Sequence, residues 1–417
     1  MEDSPADSIQ DRFAGMYGQP PAAVSHAPGR VNLIGEHTDY SNLPVLPMAI
    51  EQGLRVAAVG TDDGLVEARS TAFPGLVRVD RARPAGDTSI PWSEYVAGAL
   101  KELADVAPGR GARLLVDGDL PPGGGLSSSS SLTVGTIAAL AAAWGAAMEP
   151  AGIARRAILA ERHAGVESGG MDQTVIVFAE AGSALRIDFD PPARRLVPLP
   201  PGLGFVAAFS GEDAPKGGTA RDAYNARVVG TRIAAAMLAD QVGVDLEPPL
   251  SLSRVADIDV VDILVDELPD RISAQEAAHG AAVDVEHLVR LTNGRFDQVA
   301  KVPVRGVARH VLSEADRVDA AERALLAGDI AGFGRLLNES HASLRDDFLC
   351  STPALDRMCK AMRKAGALGA RVTGAGFGGY ALAAVPPGRL VAVIEVAAAA
   401  TGGPAFEVRA GCGLRLE

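Results

Sequence analysis

The 417-residue chain has only three cysteines, Cys350, Cys359 and Cys412. None sits in a CxxC pair, so reduced thiols are expected rather than a disulfide framework or a thiolate metal site. Positive charge is also scarce: 39 Lys and Arg face 52 Asp and Glu, leaving a net charge of −13. With no basic stripe to neutralise phosphates, a nucleic-acid partner is excluded. A bound nucleotide would need local features instead: a metal ion, a loop of backbone N–H groups or a few arginines. Long apolar runs are missing as well. The longest, "IAALAAAWGAAM", is Ala-rich and too short to span a bilayer. The acidic opening "MEDSPADSIQDRF" does not resemble a signal peptide. A soluble, cytoplasmic protein with no membrane partner is expected. No period of 20–50 residues recurs, which excludes a solenoid.

What remains is ordinary globular composition, 47% hydrophobic and 22% charged. The length exceeds what one compact core usually takes, so two domains are expected. "LRVAAVG" and "LVEARS" alternate as strands do. "WSEYVAGALKELADV" places Trp92, Tyr95, Val96, Leu100 and Leu103 on one helical face. "TVIVFAEAGSALRIDF" reads as two strands joined at a turn, and residues before about Asp11 as a loose arm. The Pro-rich stretch at 191–204 marks the crossover, giving domains 1–200 and 201–417. Helical spacing dominates from Tyr224 to about Gly366, and the class is α+β with two lobes.

Four stretches carry chemistry. "PPGGGLSSSSSL" follows the strand-like "ARLLVDG" and enters an apolar helix directly. Its glycines permit close backbone approach, a helix N-terminus suits an anion, and serine hydroxyls suit Mg²⁺. It reads as a phosphate cradle, although the lysine of a P-loop is missing; the bland alternative is a linker with a serine cap. "TGAGFGG" formally contains GxGxxG at Gly374, Gly376 and Gly379. A strand-like run follows it instead of a helix, so a dinucleotide site fails on context. It is expected to press its backbone against another loop or a ligand, or else to be simply a tight turn between strands. "GRVNLIGEHTDY" packs Arg30, Glu36, His37 and Asp39 among apolar residues. An arginine there is costly to bury unless it pairs with a carboxylate or an anion. "GGMDQTVIVF" sets Asp172 between glycines and an apolar run, either as a proton acceptor or as a turn cap.

Taken together these stretches resemble one family. "GRVNLIGEHTDY" matches the galactokinase signature at every position. "LPPGGGLSSSSSL" and "GARVTGAGFGG" are similar to the second and third motifs of the wider GHMP small-molecule kinases. "GGMDQ", "ARHVLSEADRV" and "FGRLLNESHASLRDDF" resemble further galactokinase segments, in family order along nearly the whole chain. The resemblance implies a two-lobed GHMP kinase fold, with a ribosomal protein S5 domain 2-like N-terminal lobe, an α/β C-terminal lobe and the active site in the cleft. It implies an ATP- and Mg²⁺-dependent sugar 1-kinase making galactose 1-phosphate. Asp172 would orient or deprotonate the sugar C1 hydroxyl, with Arg30 beside it to steady the transferring phosphoryl group. Glu36, His37, Asp39, Gly169 and Tyr224 would contact the sugar. Gly123, Gly124, Gly125, Leu126, Ser127, Ser128 and Ser129 would hold the nucleotide, and Ser129 with Glu161 the metal. A monomer or small homo-oligomer is expected.

The departures cluster near the sugar. Ser41-Asn42-Leu43-Pro44 stands where the family usually has Asn, any residue, Gly. "SGEDAPKGGTARDAYNAR", with Glu212, Asp213 and Lys216, replaces a serine and a short variable piece. Tyr380 ends the third motif, where a small residue or cysteine is usual, and the helix before "GGMDQ" is one residue short, which bears on Glu161. Drift within a true galactokinase is one explanation. A shifted substrate, another aldose, an amino sugar or a cyclitol, is the other. A catalytically silent galactose- and ATP-sensing regulator is the alternative of a different class; such relatives usually have a damaged phosphate loop, which this chain does not.

Overall fold

The computed structural model describes residues 8–121, 124–165, 169–212, 219–245, 250–273, 275–277 and 301–417. The first helix, α1 (Ile9–Tyr17), begins at a capping box between Ser8 and Asp11. It buries Ile9 and Phe13, so helix replaces the loose arm expected up to Asp11. Four strands follow: β1 (Ala23–Ile34), β2 (Leu46–Thr61), β3 (Leu65–Ser70) and β4 (Val77–Asp80). Then come α2 (Ser93–Glu102), β5 (Gly111–Gly118), α3 (Ser128–Ala143), α4 (Pro150–His163) and α5 (Met171–Phe178). The hairpin β6 (Ser183–Phe189) and β7 (Pro192–Pro198) leads to β8 (Gly204–Phe209), α6 (Thr219–Val242) and α7 (Val261–Glu267). A short pair, β9 (Arg271–Ser273) and β10 (Lys301–Pro303), precedes α8 (Arg305–Leu326), α9 (Ile330–Asp346) and α10 (Pro353–Lys364). The chain closes with β11 (Gly369–Thr373), β12 (Tyr380–Val385), α11 (Leu390–Thr401), β13 (Ala405–Val408) and β14 (Arg415–Leu416).

Two larger sheets organise the molecule. The first runs β14-β1-β2-β5-β3-β4, antiparallel except for the β3–β5 pair. The second runs β11-β12-β8-β13 and is antiparallel throughout. Mixed helices and sheets make this the expected α+β class. The last strand crosses back: β14 pairs with β1 at Ser25↔Leu416, and Gly411 N–H bonds Ala49 O at 2.9 Å.

Helix α3 is apolar all round and buried from Ser130 to Ala141, as a helix packed on every side must be. It lies between β1–β2 and α2, α4 and α5, and its first turn therefore points into the interior. Every residue of β1 is buried. Its Ala27 joins the core under α3, while Val31 and Leu33 pack with Phe205, Leu337 and Tyr380 of the second half. An apolar core thus runs across both lobes. A second element differs from its sequence reading. The "VIVF" run was expected as a strand but is the body of α5, which starts after Gly170 at a φ of 107°. Val175, Ile176 and Val177 are all buried there, and a short fully apolar run does not distinguish helix from strand. Among the described residues, no helix is long and apolar enough to cross a membrane. Cys350, Cys359 and Cys412 are free thiols.

Candidate active site

Strand β1 and helix α5 bring together the two residues singled out as a charged pair. The Arg30 guanidinium meets the Asp172 carboxylate with both arms: Nε donates to Oδ1 and Nη2 to Oδ2, each at 2.7 Å. Planar, two-point pairing is the arrangement in which a buried arginine is tolerated. Burial works against the Arg30 charge, but the Asp172 carboxylate outweighs it and raises the guanidinium above its ordinary range. The third arm, Nη1, donates to the carbonyl of Gly125, and the Ser127 hydroxyl donates to Asp172 Oδ2. The glycine–serine loop is therefore tied directly to the pair. Asp172 lies in the first turn of α5, whose N-terminal dipole favours a carboxylate.

Next to the pair is a polar wall. Asp39 Oδ2 accepts the Met171 N–H at 3.4 Å. Burial, followed by repulsion from Asp172, pushes the Asp39 carboxyl up to about 6. Gly169 packs on it so closely that a Cβ would stand 2.5 Å from Asp39 Oδ2. The His37 ring stacks on Phe348, with centroids 4.1 Å apart, and sits 5.7 Å from the ring of Tyr224. Burial first, and His310 second, hold His37 well below its ordinary pKa, so it is neutral. Its Nε2 is buried and has no hydrogen-bond partner among the described residues, nor has the Tyr40 hydroxyl. Buried polar atoms of this kind need a partner, and a hydroxyl-bearing ligand would supply one. Glu36 has a different set of partners from those expected of a sugar contact. Its carboxylate accepts from Asn32 Nδ2, from the Gly374 N–H and, at 2.9 Å, from Arg371 Nη2. It is 2% exposed.

The two glycine loops face each other. A Cβ on Gly374 would come within 3.0 Å of the Gly125 Cα, and one on Gly125 within 3.4 Å of the Thr373 carbonyl. Both glycines have positive φ, at 82° and 125°. "TGAGFGG" thus presses its backbone on the first loop, as expected. Leu126 O accepts the Arg30 N–H at 3.1 Å, and Ser127 takes a left-handed φ of 61° before α3 begins at Ser128. Gly124 completes the described part of this loop; Gly123 lies outside the described residues. The first turn of α3 leaves N–H groups available to an anion.

Glu161, on α4, is buried behind Asp172. Burial pushes its carboxyl up to about 7 although the Ser130 hydroxyl bonds it, and its Oε1 has no partner among the described residues. The hydroxyl that Glu161 meets belongs to Ser130, one residue beyond the expected Ser129, which is half-buried and whose carbonyl accepts from Thr133 at 2.9 Å. A buried carboxylate oxygen without a donor, beside a hydroxyl, is a donor set that fits a hard divalent cation. Among the described residues, no group of three or more His, Cys, Asp or Glu side chains is placed to hold a metal ion. A cation here would therefore complete its shell with water or phosphate oxygens.

Three of the departures, at Ser41–Pro44, Glu212 and Tyr380, have structural explanations. Asp39–Ser41 forms one 3-10 turn, and Asn42 supplies the left-handed φ of 55° that ends it. Leu43 then inserts into the second-lobe core beside Leu252 and Val255, and Ser251 donates to the Ser41 carbonyl. Tyr380 is fully buried between Phe209 and Phe406. Glu212 accepts from Thr352 Oγ1 at 2.7 Å and holds the Gly379 N–H through its carbonyl. Asp213 and Lys216 lie outside the described residues.

Several contributors were not legible as site residues. Ser130 was hidden in a serine run, and Phe348 carries no polar group to flag it. Arg371, His310 and Glu314 reach the signature across 274 or more positions of sequence. The only sequence signal was that "GARVTG" and "ARHVLSEADRV" have counterparts in the family.

Comparisons agree with this geometry. The galactokinase galactose-binding signature matches residues 11–59, the GHMP kinases N terminal domain residues 94–180, and the GHMP kinases C terminal residues 321–402. The galactokinase of Chloroflexus aggregans is 35% identical over 383 residues, covering 91% of this chain and 87% of its own. The structure is similar to that of Lactococcus lactis galactokinase complexed with galactose, with a TM-score of 0.78, 29% identity and 98% of both chains covered. It shares its fold with the mevalonate kinase of Methanococcus jannaschii, with a TM-score of 0.60, 18% identity, and 93% of this chain and 98% of that one covered.

Proposed function

The chain belongs to the galactokinase family of GHMP kinases, and from that premise we propose that it transfers the γ-phosphoryl group of ATP to the C1 hydroxyl of galactose. The observation that carries the reading is the Arg30–Asp172 pair with Ser127 and Gly125 bonded to it, because it places a carboxylate and a cation at the mouth of an anion-binding loop. Phosphoryl transfer depends on positioning and charge stabilisation more than on covalent help from the protein.

Asp172 acts as the base. Its Oδ2 already accepts from Arg30 and Ser127, whereas Oδ1 accepts from Arg30 alone. Oδ1 is therefore the atom with room for the sugar hydroxyl. Arg30 stays charged and steadies the negative charge that develops on the transferring group. His37, neutral with a free Nε2, and Asp39 take hydroxyls of the sugar ring, with Tyr224 covering one side. A sugar with a misplaced hydroxyl leaves these buried atoms unpaired, which is a strong basis for discrimination. Glu36 contributes from behind, by fixing the turn that carries His37. Gly124, Gly125, Leu126 and Ser127–Ser129 offer the nucleotide backbone N–H groups and hydroxyls, and Glu161 with Ser130 would hold Mg²⁺. When bound, that ion neutralises phosphate charge. The lobes divide at 200/201, with the final strand returning to the first.

Purified protein given Mg-ATP and a panel of aldoses, amino sugars and cyclitols should release ADP with galactose well above the others. Turnover of another sugar with none on galactose would overturn the assignment. The shifted-substrate reading gains nothing from Leu43 and Tyr380, since both departures fill core space.

A further inference from the structure

The turn that presents His37 and Asp39 has an unfavourable backbone. Gly35 has a φ of 99° and His37 a φ of 65°. A Cβ at Gly35 would meet the Val45 Cα at 2.8 Å and Val318 Cγ2 at 2.9 Å. A non-glycine residue in the left-handed region is costly and persists only where its surroundings over-determine it. First-lobe residues supply part of those surroundings, Val45 against Gly35 and Asn32 on the Glu36 carboxylate; the charged part comes from the other lobe. Arg371, fully buried on β11, spreads its fork over the end of β1: Nη1 donates to Leu33 O at 2.9 Å and Nη2 to Glu36 Oε2 at 2.9 Å. Its Nη2 also lies 3.6 Å from Glu314 Oε1. That same oxygen accepts the Gly35 N–H at 3.0 Å and the Ser340 hydroxyl at 2.6 Å. Arg317 Nε holds the other oxygen at 2.7 Å. His310 Nε2, which must carry the proton because a carbonyl only accepts, donates to Glu36 O at 3.0 Å. Three consecutive features of the turn, the Gly35 N–H, the Glu36 carbonyl and the Glu36 carboxylate, are thus each held by a different residue of the second lobe.

We propose that Arg371 and Glu314 are positioning residues for the sugar: together they hold the strained Gly35–His37 turn in the shape that aims His37 and Asp39 at the substrate, so that sugar affinity is set from the C-terminal lobe. The inference rests on the reading of His37 and Asp39 as sugar contacts. Burial would push the Glu314 carboxyl up, but Arg371 and Arg317 outweigh it and hold it down at about 2. The carboxylate is therefore ionised throughout the working range. A lysine at 371 would keep the charge and lose the fork. A glutamine at 314 would keep the shape and lose the charge. Among the described residues the phosphate loop takes no bond from either residue, so ATP binding is separable from sugar binding.

Two readouts on Arg371→Lys and Glu314→Gln test this. In steady-state kinetics the sugar KM should rise on the order of tenfold while the ATP KM stays within about twofold. In ligand-free protein, amide hydrogen exchange should quicken at residues 35–39 and remain as in the wild type across β5. A folded variant with unchanged sugar KM, or with sugar and ATP KM rising together, would overturn the proposal. If either variant fails to fold, Ser340→Ala, which removes only the hydroxyl bonded to Glu314, gives the same two readouts. Absence of galactose turnover in the wild type would defeat the proposed substrate alone. The exchange comparison would then still decide on the strut, with slow exchange at 35–39 in all variants refuting it.

Discussion

Asp172 presents two oxygens of unequal availability, and its geometry makes a residue-scale prediction. Asp172→Asn keeps the shape and one acceptor for Arg30 but removes the base. Its kcat should fall by about 10²–10⁴-fold, the range for a lost general base, with sugar binding by calorimetry largely kept. Turnover close to that of the wild type would mean that another group takes the proton. Glu161 makes a second prediction. Its folded pKa of about 7 lies above the ordinary glutamate value of 4.5. In metal-free protein its burial is therefore harmless below about pH 4.5 and increasingly destabilising as pH rises to about 7. Glu161→Gln should match the wild type at low pH and become more stable through that window, by on the order of 3 kcal/mol. Added Mg²⁺ should raise the melting temperature of the wild type at pH 8 more than at pH 5.5, and leave the variant unmoved. A difference between the two proteins that does not vary with pH would contradict this role.

At the scale of elements, the position of Ser41–Pro44 turns an apparent specificity change into a packing one. Leu43 is 7% exposed and lies in the core of the second lobe. Leu43→Ala should cost about 2–5 kcal/mol in denaturant unfolding and leave the ranking of sugars unchanged; an altered ranking would restore the shifted-substrate reading. The elements also show what the sequence made legible. The strand–loop–helix around "GGGLSSSSS" was readable, because glycine, serine and a long apolar stretch each fix one local conformation. So was the strand pair around "TGAGFGG". The body of α5 was not, since four consecutive apolar residues satisfy a buried helix and a buried strand equally. Asn42 as the left-handed residue in place of a glycine was within reach of turn chemistry, but its purpose, seating Leu43, depended on a core formed some 200 residues later.

Long-range pairing governs the whole molecule and is what the sequence hid best. Arg371 and Glu36 stand 335 positions apart and touch at 2.9 Å. No local propensity records that. The apolar core of Val31, Leu33, Phe205 and Tyr380 crosses between the lobes, as do the bonds of Arg371 to Glu36 and of Glu314 to Gly35. The residues of the candidate site are thus held by contacts that neither lobe makes alone. Both glycine loops, the Arg30–Asp172 pair and the His37 turn converge as a result, and the convergence, rather than any single motif, supports a sugar kinase. The most direct test of that claim is phosphorus NMR of the product from galactose and Mg-ATP. A phosphate coupled to the anomeric proton, formed by the wild type and lost in Asp172→Asn, is the predicted result. Phosphate on any other oxygen of the sugar, or no sugar phosphate from galactose at all, would contradict it.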